Sequence, residues 1–308
     1  MRSLLDRDFL FVAGKGGVGK TTVSAALAIA AAQRGQRVLV AMCNTKERLS
    51  HLLEVEPVGP RNQPLLDRIE AVNMTPAVAL EEYGMMVLKV RSVYKAVFEN
   101  RFVSAVLRGT PGIEAWAMLG KAQFHVHEEV DGRSRYDLVI VDGPATGHAL
   151  DMLRVPQVIC DVAPPGLLRT EAEKARSLFH DHKRAAAVLV TLPEDMPANE
   201  TIELHGAVTD EIGMDVATLV VNSMLPKLFK ASERNAIVEL PTKLDEGSAL
   251  TSLALAGRER ALREKTQREA MKKLSDALPD LPRVVLPHLY TPDFRRSSVE
   301  SLAASFAD

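Results

Sequence analysis

Nine residues, Gly14-Lys15-Gly16-Gly17-Val18-Gly19-Lys20-Thr21-Thr22, lie between the apolar run Phe9–Ala13 and an alanine-rich run of helical character. Their spacing satisfies G-x-x-x-x-G-K-[ST] in a strand–loop–helix context. Glycines let the backbone fold tightly, so consecutive N–H groups converge on phosphate oxygens, and the helix N-terminus adds partial positive charge. In such a loop Lys20 neutralises β- and γ-phosphates and the Thr21 hydroxyl ligates Mg²⁺. A carboxylate fits beside it: the apolar run Leu138–Val141 ends in Asp142, placed to hold the same ion through water. The expected ligands are a nucleotide and Mg²⁺.

Positioning these groups requires buried strands. Phe9–Ala13, Val38–Met42, Leu138–Val141, Ala187–Thr191, Ala217–Val221 and Val284–Leu286 are short, β-branched-rich and suited to a sheet covered on both faces. Alternation with longer helical patterns predicts an α/β fold, a mostly parallel central sheet flanked by helices. From Thr75 to Glu129 no strand signal occurs. Leu80, Tyr83, Val87, Val90, Tyr94 and Val97 recur at steps of three and four, one apolar stripe of a long helix. Thr110, Pro111 and Gly112 break it, and a second helical run starts at Ile113. This predicts a helical insertion, residues 75–130, between the second and third main strands of a single domain covering 1–308. A charged helix is predicted from Leu250 to Leu278, with Glu259/Arg263, Glu264/Arg268 and Glu269/Lys273 in the favourable i,i+4 order on a solvated face.

The chain has 308 residues, 38 basic against 40 acidic, and a formal charge of −2. That balance disfavours broad attraction to nucleic acid or anionic lipid. No apolar run approaches the roughly 18 residues of a membrane span, and a strand within the first ten residues leaves no room for a signal peptide. Cys43 and Cys160 are far apart and match no metal or redox spacing, so a reduced, cytoplasmic setting is expected. His125/His127 and His180/His182 are each two apart, which on a helix points them to different faces, so they read as surface residues.

The loop Lys-Gly-Gly-Val-Gly-Lys-Thr-Thr resembles that of the deviant P-loop ATPases, and Val139-Ile140-Val141-Asp142-Gly143-Pro144-Ala145-Thr146-Gly147-His148 resembles the second switch of their ArsA-type family. That family includes arsenite-pump ATPases and guided-entry ATPases for tail-anchored membrane proteins. Its usual switch reads Asp-Thr-Ala-Pro-Thr-Gly-His, which Asp142, Pro144, Thr146, Gly147 and His148 fit with one rearranged triplet. The resemblance implies a P-loop NTPase fold in a homodimer, or a heterodimer with an ArsA-like paralogue, in which Lys15 reaches the partner's phosphates. It implies that His148 relays nucleotide state, that Glu194 lies near the nucleotide of the dimer, and that Asn222 contacts adenine, with Pro287 flanking the base. It also implies a protein client or membrane-protein partner, while the near-neutral charge and the lack of a long apolar run argue for no nucleic acid and no direct insertion into the bilayer. Met74, Met85, Met86 and Met118 suit either a client groove or packing of the insertion against its own neighbours.

One departure matters. The family's first switch carries a water-activating Asp after the second strand; aligning Val38-Leu39-Val40 puts Asn44 there, with Glu47 three residues on. An amide accepts no proton from water, so slow hydrolysis is expected unless Glu47 or a partner supplies the carboxylate. Two functions follow: a client-coupled ATPase, or a poorly hydrolysing regulatory subunit beside an active paralogue. A ParA/MinD-type positioning ATPase is disfavoured because the tail from Ser297 to Asp308 carries no basic residue.

Overall fold

Strand β1 (Phe9–Ala13) is wholly buried in the interior of an eight-stranded sheet because its residues are apolar on both faces. The structure, a computed structural model, describes residues 4–43, 46–88, 112–244 and 249–307. The other strands of this sheet are β2 (Val38–Cys43), β3 (Gln63–Leu66), β4 (Ile69–Met74), β7 (Leu138–Asp142), β8 (Ala185–Thr191), β9 (Val216–Met224) and β10 (Arg283–Pro287). Their spatial order is β10-β9-β8-β1-β7-β2-β4-β3. All neighbours are parallel except β3, which runs antiparallel to β4. A small hairpin, β5 (Glu129–Val130) with β6 (Arg133–Ser134), stands apart. The six strands expected from the sequence are present. β3 and β4 are two more, so the insertion follows β4 and not β2. β3 is an edge strand and β4 lies next to it, and the incompletely buried Gln63, Pro64, Glu70 and Asn73 break their apolar runs.

Alternation along β1 divides the core. Phe9, Phe11 and Ala13 join Leu39, Val139, Val141 and Leu189 on one face, under α4 (Ile113–Val126), α5 (Thr146–Val162), α6 (Leu167–Phe179) and α7 (Asp195–Gly206). Leu10 and Val12 join Val40, Ile140 and Val188 on the other, under α1 (Lys20–Gln33) and α10 (Arg296–Ala303). Residues 23–31 of α1 are all buried, and five of them are alanines that let the helix lie close to the sheet. After β2 come the short α2 (Leu49–Leu53) and the edge strands; after β9 come α8 (Ala231–Glu239) and the long α9 (Ala249–Ala277).

Of the insertion, α3 (Pro76–Leu88) and α4 are described and pack together. Val90, Tyr94, Val97, Thr110 and Pro111 lie outside the described residues. Gly112 caps α4 at φ 83°, where a Cβ would come within 2.7 Å of Val155. Met74 and Met118 belong to the core, so those two pack within the domain, while Met85 and Met86 are half-buried.

Two surface expectations are corrected. His125 is buried: Nδ1 lies 2.7 Å from Glu128 and Nε2 3.2 Å from Asn62, and its ring meets Tyr136 edge-on. Helical spacing places residues on faces but does not reveal that Asn62 and Tyr136 arrive to cover one of them. On α9, Glu264 is also buried, pairs with Arg260 at 3.1 Å and accepts the Leu228 N–H at 2.8 Å. Lys273 leaves the helix for Asp195 and Asn199 on α7.

The joint between α3 and α4 contains a buried cation. Lys121, 1% exposed, meets Glu82 at 2.5 Å, with Arg61 at 3.6 Å on the outer side. Removing one partner strands the other charge, whereas removing both does not. Glu82→Leu is expected to lower stability by about 3 kcal/mol, and Lys121→Met added to it to restore most of that loss. Urea denaturation of the two variants checks this; a double variant as weak as the single one contradicts it.

Candidate nucleotide-binding site

The phosphate loop leaves β1 where the chain order changes direction: β7 flanks the strand on one side and β8 on the other. Crevices at such points, outside the carboxyl ends of parallel strands, are where open α/β sheets bind ligands. Gly14 has φ 153°, and a Cβ there would stand 2.2 Å from the Val190 carbonyl oxygen on β8. Gly19, at φ 95°, caps α1, and a Cβ there would stand 2.2 Å from the Asn222 amide nitrogen. Only glycine fits either position. Val18 is buried in the α1-side core and anchors the loop, while Gly16 and Gly17 face outward.

Lys20 Nζ donates to the carbonyls of Gly14 at 3.0 Å and Lys15 at 3.1 Å, so the ammonium lies over the loop. Burial pushes its pKa down, opposed by the charge of Asp142. Thr21 Oγ1 donates to Asp142 Oδ2 at 2.6 Å and Ser24 Oγ to Oδ1 at 3.2 Å. Asp142 is 1% exposed; burial pushes its pKa up, while the two hydroxyls and Lys20 pull it down. Thr22 follows in the same turn, half-buried. A hydroxyl and a carboxylate meeting at the loop are the hard oxygen donors that Mg²⁺ takes, so these residues fit the ion.

Lys15 does not point into solvent. Its Nζ lies 2.5 Å from Glu200 Oε1 and 2.7 Å from Met196 Sδ, both on α7. Next to Asp142, Gly143 donates to the Val12 carbonyl at 3.0 Å, and Pro144 and Ala145 lead into α5. The Ala145 Cβ stands 3.9 Å from where a Gly16 side chain would begin, so this segment lies against the glycine loop. Thr146 Oγ1 is buried with no hydrogen-bond partner among the described residues, while Gly147 and His148 are exposed on the first turn of α5. Glu47 is engaged locally: its carboxylate accepts the Ser50 N–H at 2.8 Å and the Ser50 hydroxyl, starting α2. Asn44 lies outside the described residues.

Beyond the loop, a cleft of about 840 Å³ opens between the ends of β8 and β9 and the long α9. Glu194, the exposed N-cap of α7, lines it with Pro193, Ser223, His288 and Tyr290. Asn222 enters this region from β9 but donates its amide to the Val18 carbonyl at 2.9 Å, which ties it to the phosphate loop. Pro287 ends β10 and is exposed. His288 is held by Ser223 at 2.7 Å, and its ring lies 4.7 Å from that of Tyr290. Arg260 of α9 reaches the Tyr290 hydroxyl and the Pro226 carbonyl. Sequence reasoning missed Ser24, Glu200 and Arg260. Ser24 was accessible, since it follows Thr21 by three on one helix face; the other two reach their partners across the fold.

A glycine loop between the central strand and α1, with Lys20 and Thr21 meeting a buried Asp142, defines a P-loop nucleotide-binding α/β protein. The anion-transporting ATPase family profile, ArsA-type, matches residues 7–163, just over half of the chain. The chain belongs to that family of ATPases. Its relatives include ATPase BagA of Mycobacterium tuberculosis, 27% identical over 253 residues that cover 80% of this chain and 73% of the relative. ATPase GET3C of Arabidopsis thaliana is 26% identical over 279 residues, 74% of this chain and 69% of its own. An arsenical pump-driving ATPase of Escherichia coli is 26% identical over 263 residues, 77% of this chain but 44% of the pump ATPase. The chain thus spans less than half of that last protein.

The burial of Asp142 leads to a separation of effects. Asp142→Asn removes a desolvated charge while its amide oxygen still accepts from Thr21. The expected outcome is a nucleotide-free melting temperature no lower than that of wild type, with loss of the further stabilisation that Mg²⁺ adds to ATP. Thermal melts with ATP, with and without Mg²⁺, check this; a variant that keeps the Mg²⁺ increment contradicts it.

Proposed function

We propose that this chain is a MgATP-binding, dimerising ATPase that couples nucleotide state to a conformational change on a client or partner protein. The observation that supports it most is the meeting of Lys20, Thr21 and Asp142 at a glycine loop on a topological switch point. Loop N–H groups and Lys20 take the phosphates, and Lys20 offsets charge that builds on the γ-phosphate during transfer. The Thr21 hydroxyl, and Asp142 through water, hold Mg²⁺, which when bound draws charge from the phosphate oxygens. Lys15 adds a cation from the second subunit. Glu194, Asn222 and Pro287 form the base side, where Asn222 also reports on the loop through Val18. Pro144, Thr146, Gly147 and His148 carry nucleotide state into α5, which packs against the insertion helix α4.

A second reading has its own support. Asn44 stands where the resemblance expects a general base, and the Glu47 carboxylate is occupied by Ser50. Hydrolysis by the chain alone is then slow, and the chain serves as the regulatory half of a heterodimer with an active paralogue. Loss of a general base lowers rates by about 10²–10⁴. Asn44→Asp is therefore expected to raise turnover by at least roughly tenfold with little change in MgATP affinity. Steady-state ATPase assays over a range of protein concentrations check this; a fast wild type unaffected by the substitution contradicts it.

A further inference from the structure

Lys15 sits on an outward-facing loop, yet its ammonium is bound within its own subunit: Glu200 Oε1 at 2.5 Å and the Met196 thioether at 2.7 Å. The two halves of this contact differ in mobility. Lys15 carries its ammonium on a flexible four-carbon stem, on a loop whose next two residues, Gly16 and Gly17, are exposed. Glu200 stands on a fixed helix. Pro197, Ala198 and Thr201 of α7 are buried, Thr201 Oγ1 bonds the Pro197 carbonyl at 2.8 Å, and Lys273 of α9 clamps Asp195 and Asn199. Glu194, at the start of the same helix, lines the cleft beside the loop.

We infer that Glu200 is a positioning residue for Lys15: it parks the lysine in cis and releases it only when a nucleotide-loaded second copy offers phosphates in exchange. This rests on the reading that Lys15 acts across a subunit interface. The Lys15 and Glu200 side chains are 29% and 33% exposed, so water screens the pair and its strength is modest. A modest pair suits a latch. A lone lysine left in solvent would neutralise a neighbour's phosphates at any encounter, whereas a latched one makes the exchange depend on a multiply charged ligand. Glu200 and the phosphates compete for one cation, so the carboxylate raises the protein concentration needed for assembly.

The test is self-association in sedimentation velocity with Mg²⁺ and a non-hydrolysable ATP analogue, comparing wild type, Glu200→Gln, Glu200→Asp and Lys15→Met. Glu200→Gln is expected to lower the half-association concentration by about three- to fivefold, the range of a half-screened ion pair. Glu200→Asp keeps the charge and is expected to fall between wild type and the Gln variant. High salt narrows the gap between Glu200→Gln and wild type. Damage to α7 alone would shift association the opposite way and lower the melting temperature. Lys15→Met is expected to stay monomeric. If it associates as wild type does, or if wild type itself stays monomeric, the interface reading fails and the latch with it. If Lys15→Met fails to associate but Glu200→Gln matches wild type, Glu200 has no such role and only the latch is overturned.

Discussion

A carboxylate buried to 1% exposure at the end of β7 is the constraint around which this site is built. Isolated in a protein interior, the charged form of Asp142 would be strongly disfavoured, and burial does push its pKa up. Thr21, Ser24 and Lys20 counter that, and each is delivered by α1. The helix can deliver them only because its alanine-rich face lies close to the sheet and because Gly19 turns the chain into its first residue. The pairing of Val12 with Asp142 fixes how far the carboxylate reaches. Sheet register, helix packing and loop conformation therefore converge on one charge.

That charge also organises what lies beyond the loop. Asp142 is followed directly by Gly143, Pro144 and Ala145, which lean on the loop at Gly16 before α5 begins. On the opposite side Asn222 bonds the Val18 carbonyl, and α7 receives Lys15. The loop is thus touched from three directions by elements that continue into the insertion, the cleft and the long α9.

The sequence was most legible where one local pattern decides the outcome. The glycine-rich loop, its lysine and threonine, and Asp142 at the end of an apolar run carry their chemistry in spacing alone. Central strands such as Phe9–Ala13 were readable because burial on both faces leaves a continuous apolar run. β4 was not, because the half-buried Glu70 and Asn73 interrupt its apolar run, one strand in from the edge. His125 was misjudged for a different reason: its burial depends on Asn62 and Tyr136, which are distant in the chain. Glu200 and Arg260 were invisible on the same ground, as their partners are 185 and 30 residues away. Charged pairs on α9 formed with other elements as much as along the helix, since tertiary partners override i,i+4 preference.

Calorimetric titration of ATP into the chain, with Mg²⁺ and then with the ion chelated, addresses the site most directly. One nucleotide per chain should bind with measurable heat, and chelation should weaken the affinity by at least roughly tenfold, the effect of removing a divalent cation that Thr21 and Asp142 would hold beside the phosphates. Binding of equal strength with and without the ion, or no heat at all, would contradict the assignment of Lys20, Thr21 and Asp142 as a MgATP site.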